Sequence, residues 1–157
     1  MCPETINGLD ITFARGTYHT WNIKKMVKLE QWRNLKELEM GRIPVRGAGI
    51  QSFEHFETAD IRFEKVTMDD VMKVKENFLN SPSITKTLKL VAEDSFPEED
   101  QLNECLGQPY DQPYKKKSWY FRRSDNYVLV IELYRRRFYD FYIKTLGDVP
   151  EGAEVIG

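Results

Sequence analysis

The sequence predicts an α+β fold: a mostly antiparallel sheet with a C-terminal three-stranded meander and about four helices. Three observations lead there. Strand-like alternation opens the chain, helical periodicity is concentrated in its middle, and the last third is dense in Val, Ile, Tyr, Phe and Trp. Strands gathered toward the ends with helices between them read as α+β rather than as alternating βαβ units.

In residues 9–14, Leu9, Ile11 and Phe13 alternate with Asp10 and Thr12, as a strand requires. Gly16 breaks it, and residues 18–23 suggest a second short strand. Over residues 24–40 the period becomes helical, with Met26, Leu29, Trp32, Leu35 and Leu38 three residues apart. Gly41 and Pro44 then act as stop signals, and residues 42–49 read as a loop. Residues 50–58 and 60–66 look like two strands, the second with Ile61 and Phe63 on one face and Asp60, Arg62 and Glu64 on the other.

Thr67 is a natural N-cap, with Asp69 and Asp70 in the following turn and Met68, Val71, Val74 and Phe78 lining one helical face. Ser83 is expected to start another helix, with Ile84, Leu88 and Val91 inward. Pro97 is placed at the start of a short acidic helix carrying Leu102, Cys105 and Leu106, closed by Gly107. Residues 108–114 form a Pro-containing loop. Residues 118–122, 127–134 and 138–146 are the meander strands. Residues 128–146 also carry helical spacing, so two strands, one bent strand or a helix are all compatible with the pattern; the β-branched and aromatic content favours strands. Residues 1–146 are expected to form one domain and residues 147–157 a loose polar tail.

Twenty aromatic residues among 157 exclude intrinsic disorder, and ordinary Gly and Pro counts exclude collagen-like and low-complexity chains. No apolar run approaches the roughly 18 residues of a membrane span, and the first ten residues carry no secretory pattern, so a cytoplasmic location is the expectation. The two cysteines, Cys2 and Cys105, make no CxxC motif and read as free thiols, Cys105 as a small core residue.

Charge is more informative in its distribution than in its sum. Residues 114–144 carry nine basic and three acidic side chains, a net of +6 inside a remainder of −8. The same thirty-one residues hold ten of the twenty aromatic rings. Basic residues interleaved with flat rings suit a single-stranded nucleic acid, whose phosphates they neutralise and whose bases they stack. Tyr, Trp and Arg are equally the anchor residues of protein interfaces. The expected function is therefore a small non-enzymatic binding protein, of accessory or inhibitor type. It would hold an anionic protein surface or a single-stranded nucleic acid through Lys115, Lys116, Lys117, Arg122, Arg123, Arg135, Arg136 and Arg137, with Trp119, Tyr120 and Tyr139 as anchors. The glycine-rich loop with Arg42 and Arg46 is a secondary anion-binding candidate.

Catalytic motifs are absent: there is no Walker A, GxGxxG, GxSxG or HExxH sequence. The alternative reading is a metal-independent phosphodiesterase or ribonuclease using His19 and His55 as base and acid, with Arg15, Tyr18 or Thr20 on the phosphate. Glu57 would share a strand face with His55 and orient it. Glu54, Glu57, Asp60 and Glu64 would hold a cation only if they converged. No metal and no cofactor are expected.

Overall fold

The computed structural model describes residues 8–10 and 20–157. Their fold is a mixed α/β arrangement in which ten strands form one sheet, joined by three α-helices and four short 3-10 helices.

The N-terminal half of the sheet is parallel. Strands β1 (Gly8–Asp10), β3 (Glu37–Arg46), β4 (Thr58–Lys65) and β5 (Thr87–Ser95) lie side by side in that order, and β2 (Trp21–Asn22) joins the far end of β3. Parallel neighbours need a crossover, and the one from β4 to β5 is helix α2 (Met68–Asn80). Its start is fixed by a capping box: Thr67 Oγ1 accepts from the Asp70 N–H at 3.1 Å, and Asp70 Oδ2 accepts from the Thr67 N–H at 2.8 Å. Met68, Val71, Val74 and Phe78 then bury one stripe against the sheet, Phe78 meeting Phe141 with ring centroids 5.9 Å apart.

The C-terminal half contains the expected antiparallel meander, but its details differ: residues 110–112, expected in a loop, add a fourth strand to it. Strands β7 (Lys116–Arg122), β8 (Tyr127–Tyr134) and β9 (Phe138–Thr145) pair antiparallel in sequence order, and β9 closes against β5. The sheet as a whole is thus mixed rather than mostly antiparallel, because β1 to β5 are all parallel. The outer edge of β7 is shared by β6 (Tyr110–Gln112), antiparallel, and β10 (Val155–Ile156), parallel.

Several expected elements differ, each for a visible reason. The helix expected at 24–40 shrinks to α1 (Glu30–Asn34), because Leu38 and Met40 face the core while Glu37 and Glu39 face out: the period there is two, not 3.6. Residues 42–46 accordingly belong to β3, with Pro44 at an irregularity in its pairing with β4, where a missing N–H is tolerated. Residues 50–53 form a 3-10 turn in place of a strand. The helix expected from Ser83 is instead β5, whose Leu88, Leu90 and Ala92 alternate into the helix-covered face while Val91 is buried on the other. The acidic helix is α3 (Glu99–Leu106), ended by Gly107 at φ +88°. Cys105 is exposed on α3 rather than part of the core. Three α-helices are present among the described residues where about four were expected.

Residues 147–157, expected to be loose, fold back over the face of the sheet that lacks α2. Val149, Ala153 and Val155 pack there on Tyr120, Val128 and Val130. No helix among the described residues is long and apolar enough to cross a membrane.

Candidate functional site

Register places two turns at the same end of the sheet. Gln112 pairs with Lys116, Lys116 with Tyr134, and Tyr134 with Phe138. The β6–β7 connection at residues 113–115 and the β8–β9 connection at residues 135–137 are therefore neighbours. Each holds two consecutive non-glycine residues in the left-handed region: Tyr114 (φ +65°) with Lys115 (φ +59°), and Arg135 (φ +50°) with Arg136 (φ +66°). A side chain in that conformation costs about 1–2 kcal/mol, and tight hairpins usually place Asn or Gly there. Such outliers concentrate at functional sites.

The same end receives α3. Ala92 N–H donates to Arg137 O at 3.0 Å, so β5 leaves the sheet beside the second turn and passes through Phe96 and Pro97 into the helix. Between α3 and the two turns lies an open groove of about 850 Å³. Phe96, Leu102, Trp119 and Leu133 form its apolar floor. Lys115, Lys117, Arg135 and Arg136 line one wall, and Glu98, Glu99 and Asn103 the other. Tyr114, 88% exposed, and Tyr134 stand at its mouth. Asn103 Oδ1 is buried with no hydrogen-bond partner among the described residues. Lys117 Nζ contacts Glu99 Oε1 and, with help from Arg136, holds that carboxyl below its ordinary range. Lys115, Arg135 and Arg136 have no ion-pair partner among the described residues.

The predicted binding residues thus separate. Lys115, Lys117, Arg135 and Arg136 converge on the groove. Arg137 is exposed beside it, over the Phe138 ring at 5.5 Å. Lys116 points to the opposite face, where Glu132 holds it at 2.7 Å. Arg123 is 6% exposed and structural: it donates to Ser83 O at 2.7 Å and to Asp125 Oδ2 at 2.5 Å. Arg122 is exposed at the far end of β7. Arg42 and Arg46 lie on β3, five strand positions from β7, about 24 Å at normal spacing.

The expected ring anchors are core. Trp119, Tyr120 and Tyr139 are 1%, 2% and 1% exposed, which leaves no face for a base to stack on. Trp119 Nε1 donates to Gly107 O at 2.8 Å, and burial pushes the Tyr139 hydroxyl well above its ordinary range.

His19, with Arg15 and Tyr18, lies outside the described residues. His55 sits in a turn, its Nε2 2.8 Å from Trp32 O and its ring 4.1 Å from that of Phe56. Glu57 does not orient it, because Glu57 Oε1 accepts from the hydroxyls of Ser83 and Thr85, bonds that lower its pKa. Glu64 accepts from Thr20. No three carboxylate, His or Cys side chains among the described residues are grouped to hold a metal.

Residues 2–101, well over half of the chain, match the FTH domain. The chain belongs to the FTH domain family. No curated protein and no solved structure matches it. The FTH match takes in the parallel half of the sheet and the acidic start of α3. The basic wall of the groove, on β7 and its two adjoining turns, lies beyond the matched residues.

Residues that the sequence did not point to are those on α3 and one ring at the mouth: Glu99, Leu102 and Tyr114. The available signal was the Pro-Tyr-Lys-Lys-Lys run at 113–117, where an aromatic residue sits inside a charged turn and has little chance of burial.

Proposed function

We propose that this chain is a non-enzymatic binding module that holds an acidic protein segment in the groove between α3 and the turns at 113–115 and 135–137. The observation that carries the reading is the convergence of four cations and an apolar floor on a ligand-sized groove at the one end of the sheet where four residues hold left-handed backbone. An apolar side chain of the partner would fill the floor formed by Phe96, Leu102 and Leu133. Its flanking carboxylates would meet Lys115, Arg135 and Arg136. A protein partner is favoured over nucleic acid because the rings that would stack bases are buried, whereas the exposed Tyr114 and Tyr134 are of the type that anchors protein interfaces.

The test uses a fluorescein-labelled hexapeptide of alternating leucine and glutamate, its leucine–glutamine counterpart, and labelled oligo(U). The protein should bind the acidic peptide, with affinity falling moderately between low and physiological salt. Arg135→Gln with Arg136→Gln should weaken binding by about ten-fold, from two rim cations each worth up to about 1 kcal/mol. Equal binding of the glutamine peptide would refute the electrostatic reading. Preferred binding of oligo(U), with a steep salt dependence, would replace the protein partner by nucleic acid.

A further inference from the structure

We propose that Glu99 is a built-in stand-in for the partner's carboxylate: it occupies Lys117 across the groove and must be displaced by the incoming acidic segment. It thereby sets how acidic a segment has to be to enter. The inference rests on the groove reading above and concerns the selectivity of that same site.

The geometry separates Glu99 from a structural ion-pair partner. Lys117 and Glu99 both line the groove, one from β7 and one from the first turn of α3, so their contact spans it from wall to wall. The Glu99 side chain is 49% exposed, its only hydrogen bond among the described residues is the one from Lys117, and Arg136 also attracts it. The pair Lys116–Glu132, on the opposite face of the same strands, is built differently. There the Glu132 side chain is 11% exposed, and its second oxygen accepts from the Tyr142 hydroxyl at 2.9 Å. Two bonds and burial hold Glu132 in place, whereas Glu99 can rotate into water once another carboxylate takes Lys117. Exposed pairs of this kind are worth little, so a multiply charged segment offsets the exchange through its other carboxylates, while a segment with one carboxylate gains almost nothing net from Lys117. Internal competition of this sort discriminates by raising the threshold for the wrong ligand.

The experiment compares wild type, Glu99→Gln, Lys117→Met and the double variant by anisotropy. The probes are the labelled leucine–glutamate hexapeptide and a version in which one glutamate is kept and the others are glutamine. Circular dichroism melts check that each variant is folded. Glu99→Gln should tighten both peptides, the one-glutamate peptide by about two- to five-fold. Lys117→Met should weaken both, and in its background the gain from Glu99→Gln should largely vanish. Unchanged or weaker binding by Glu99→Gln overturns the proposal. So does an equal gain with Lys117 absent, which would mark a general charge effect. These outcomes leave the groove reading standing if wild type binds and Arg135→Gln/Arg136→Gln binds about ten-fold more weakly. Failure of every variant to bind either peptide overturns both.

Discussion

Replacing Arg135–Arg136 by Asn–Gly should stabilise the protein while weakening its binding. Both arginines hold positive φ, at +50° and +66°, where an L-side chain costs about 1–2 kcal/mol each. Asn and Gly are the residues that enter the left-handed region at least cost, so most of that cost is removed. Two losses oppose the gain. Glycine adds about 0.5–1 kcal/mol of unfolded-state entropy, and the Arg135 guanidinium gives up its place over the Tyr134 ring, 4.9 Å from the centroid, worth about 0.5–1 kcal/mol. The balance is a stabilisation of about 1 kcal/mol. For a chain of this length that raises Tm by about 2–4 °C in a calorimetric melt. The same variant removes two cations from the groove and should weaken the acidic hexapeptide by about ten-fold. A fall in Tm, or full retention of peptide affinity, would refute the idea that the turn keeps its arginines for binding at the expense of stability.

Trp119→Ala should cost about 3–5 kcal/mol, read by urea unfolding, because it empties a fully buried site and removes the donor to Gly107 O. Thr67→Ala should cost about 1 kcal/mol through loss of the α2 cap, again visible in urea. Burial holds the Asp140 carboxyl above its ordinary 3.8, so its protonated form favours the folded state; that contribution is complete below the unfolded pKa and is lost as pH rises through the folded one. Asp140→Asn should therefore stabilise at pH 7, with the gain disappearing as pH falls through the carboxylate range. Glu57 has the opposite sign, its pKa being lowered by the Ser83 and Thr85 hydroxyls. Glu57→Gln should destabilise at pH 7, and the difference should close as pH falls through the folded pKa of Glu57.

Where one periodicity dominated, the fold was legible. Thr67 followed by Asp70 and a buried stripe admits only a helix, and the Val, Ile and aromatic density of residues 127–145 admits strands once the helical alternative is weighed. The failures came where two periods coexist. Ile84, Leu88 and Val91 fit a helix, yet Leu88, Leu90 and Ala92 fit a strand equally well, and burial of Val91 on the second face blurs the alternation. Residues 35–40 mislead in the same way. The parallel pairing of β3, β4 and β5 follows from tertiary neighbours and leaves no local mark.

For the candidate site, the cations were legible and the rings were not. A run of arginines cannot be buried cheaply, so Arg135 and Arg136 had to be at the surface. Aromatic density, by contrast, signals a core and an interface alike, and Trp119, Tyr120 and Tyr139 proved to be core. The acidic wall was hidden because α3 reaches the groove through packing, from a stretch about 15–35 residues away in sequence.

The most direct test of the groove is an amide chemical-shift map of the isotope-labelled protein titrated with the leucine–glutamate hexapeptide. The expected shifts cluster at Phe96, Glu99, Leu102, Asn103, Lys115, Lys117, Arg135 and Arg136, with Arg42, Arg46 and Arg122 unmoved. Shifts centred on β3, on the face opposite α2, or spread evenly over exposed lysines and arginines would contradict it.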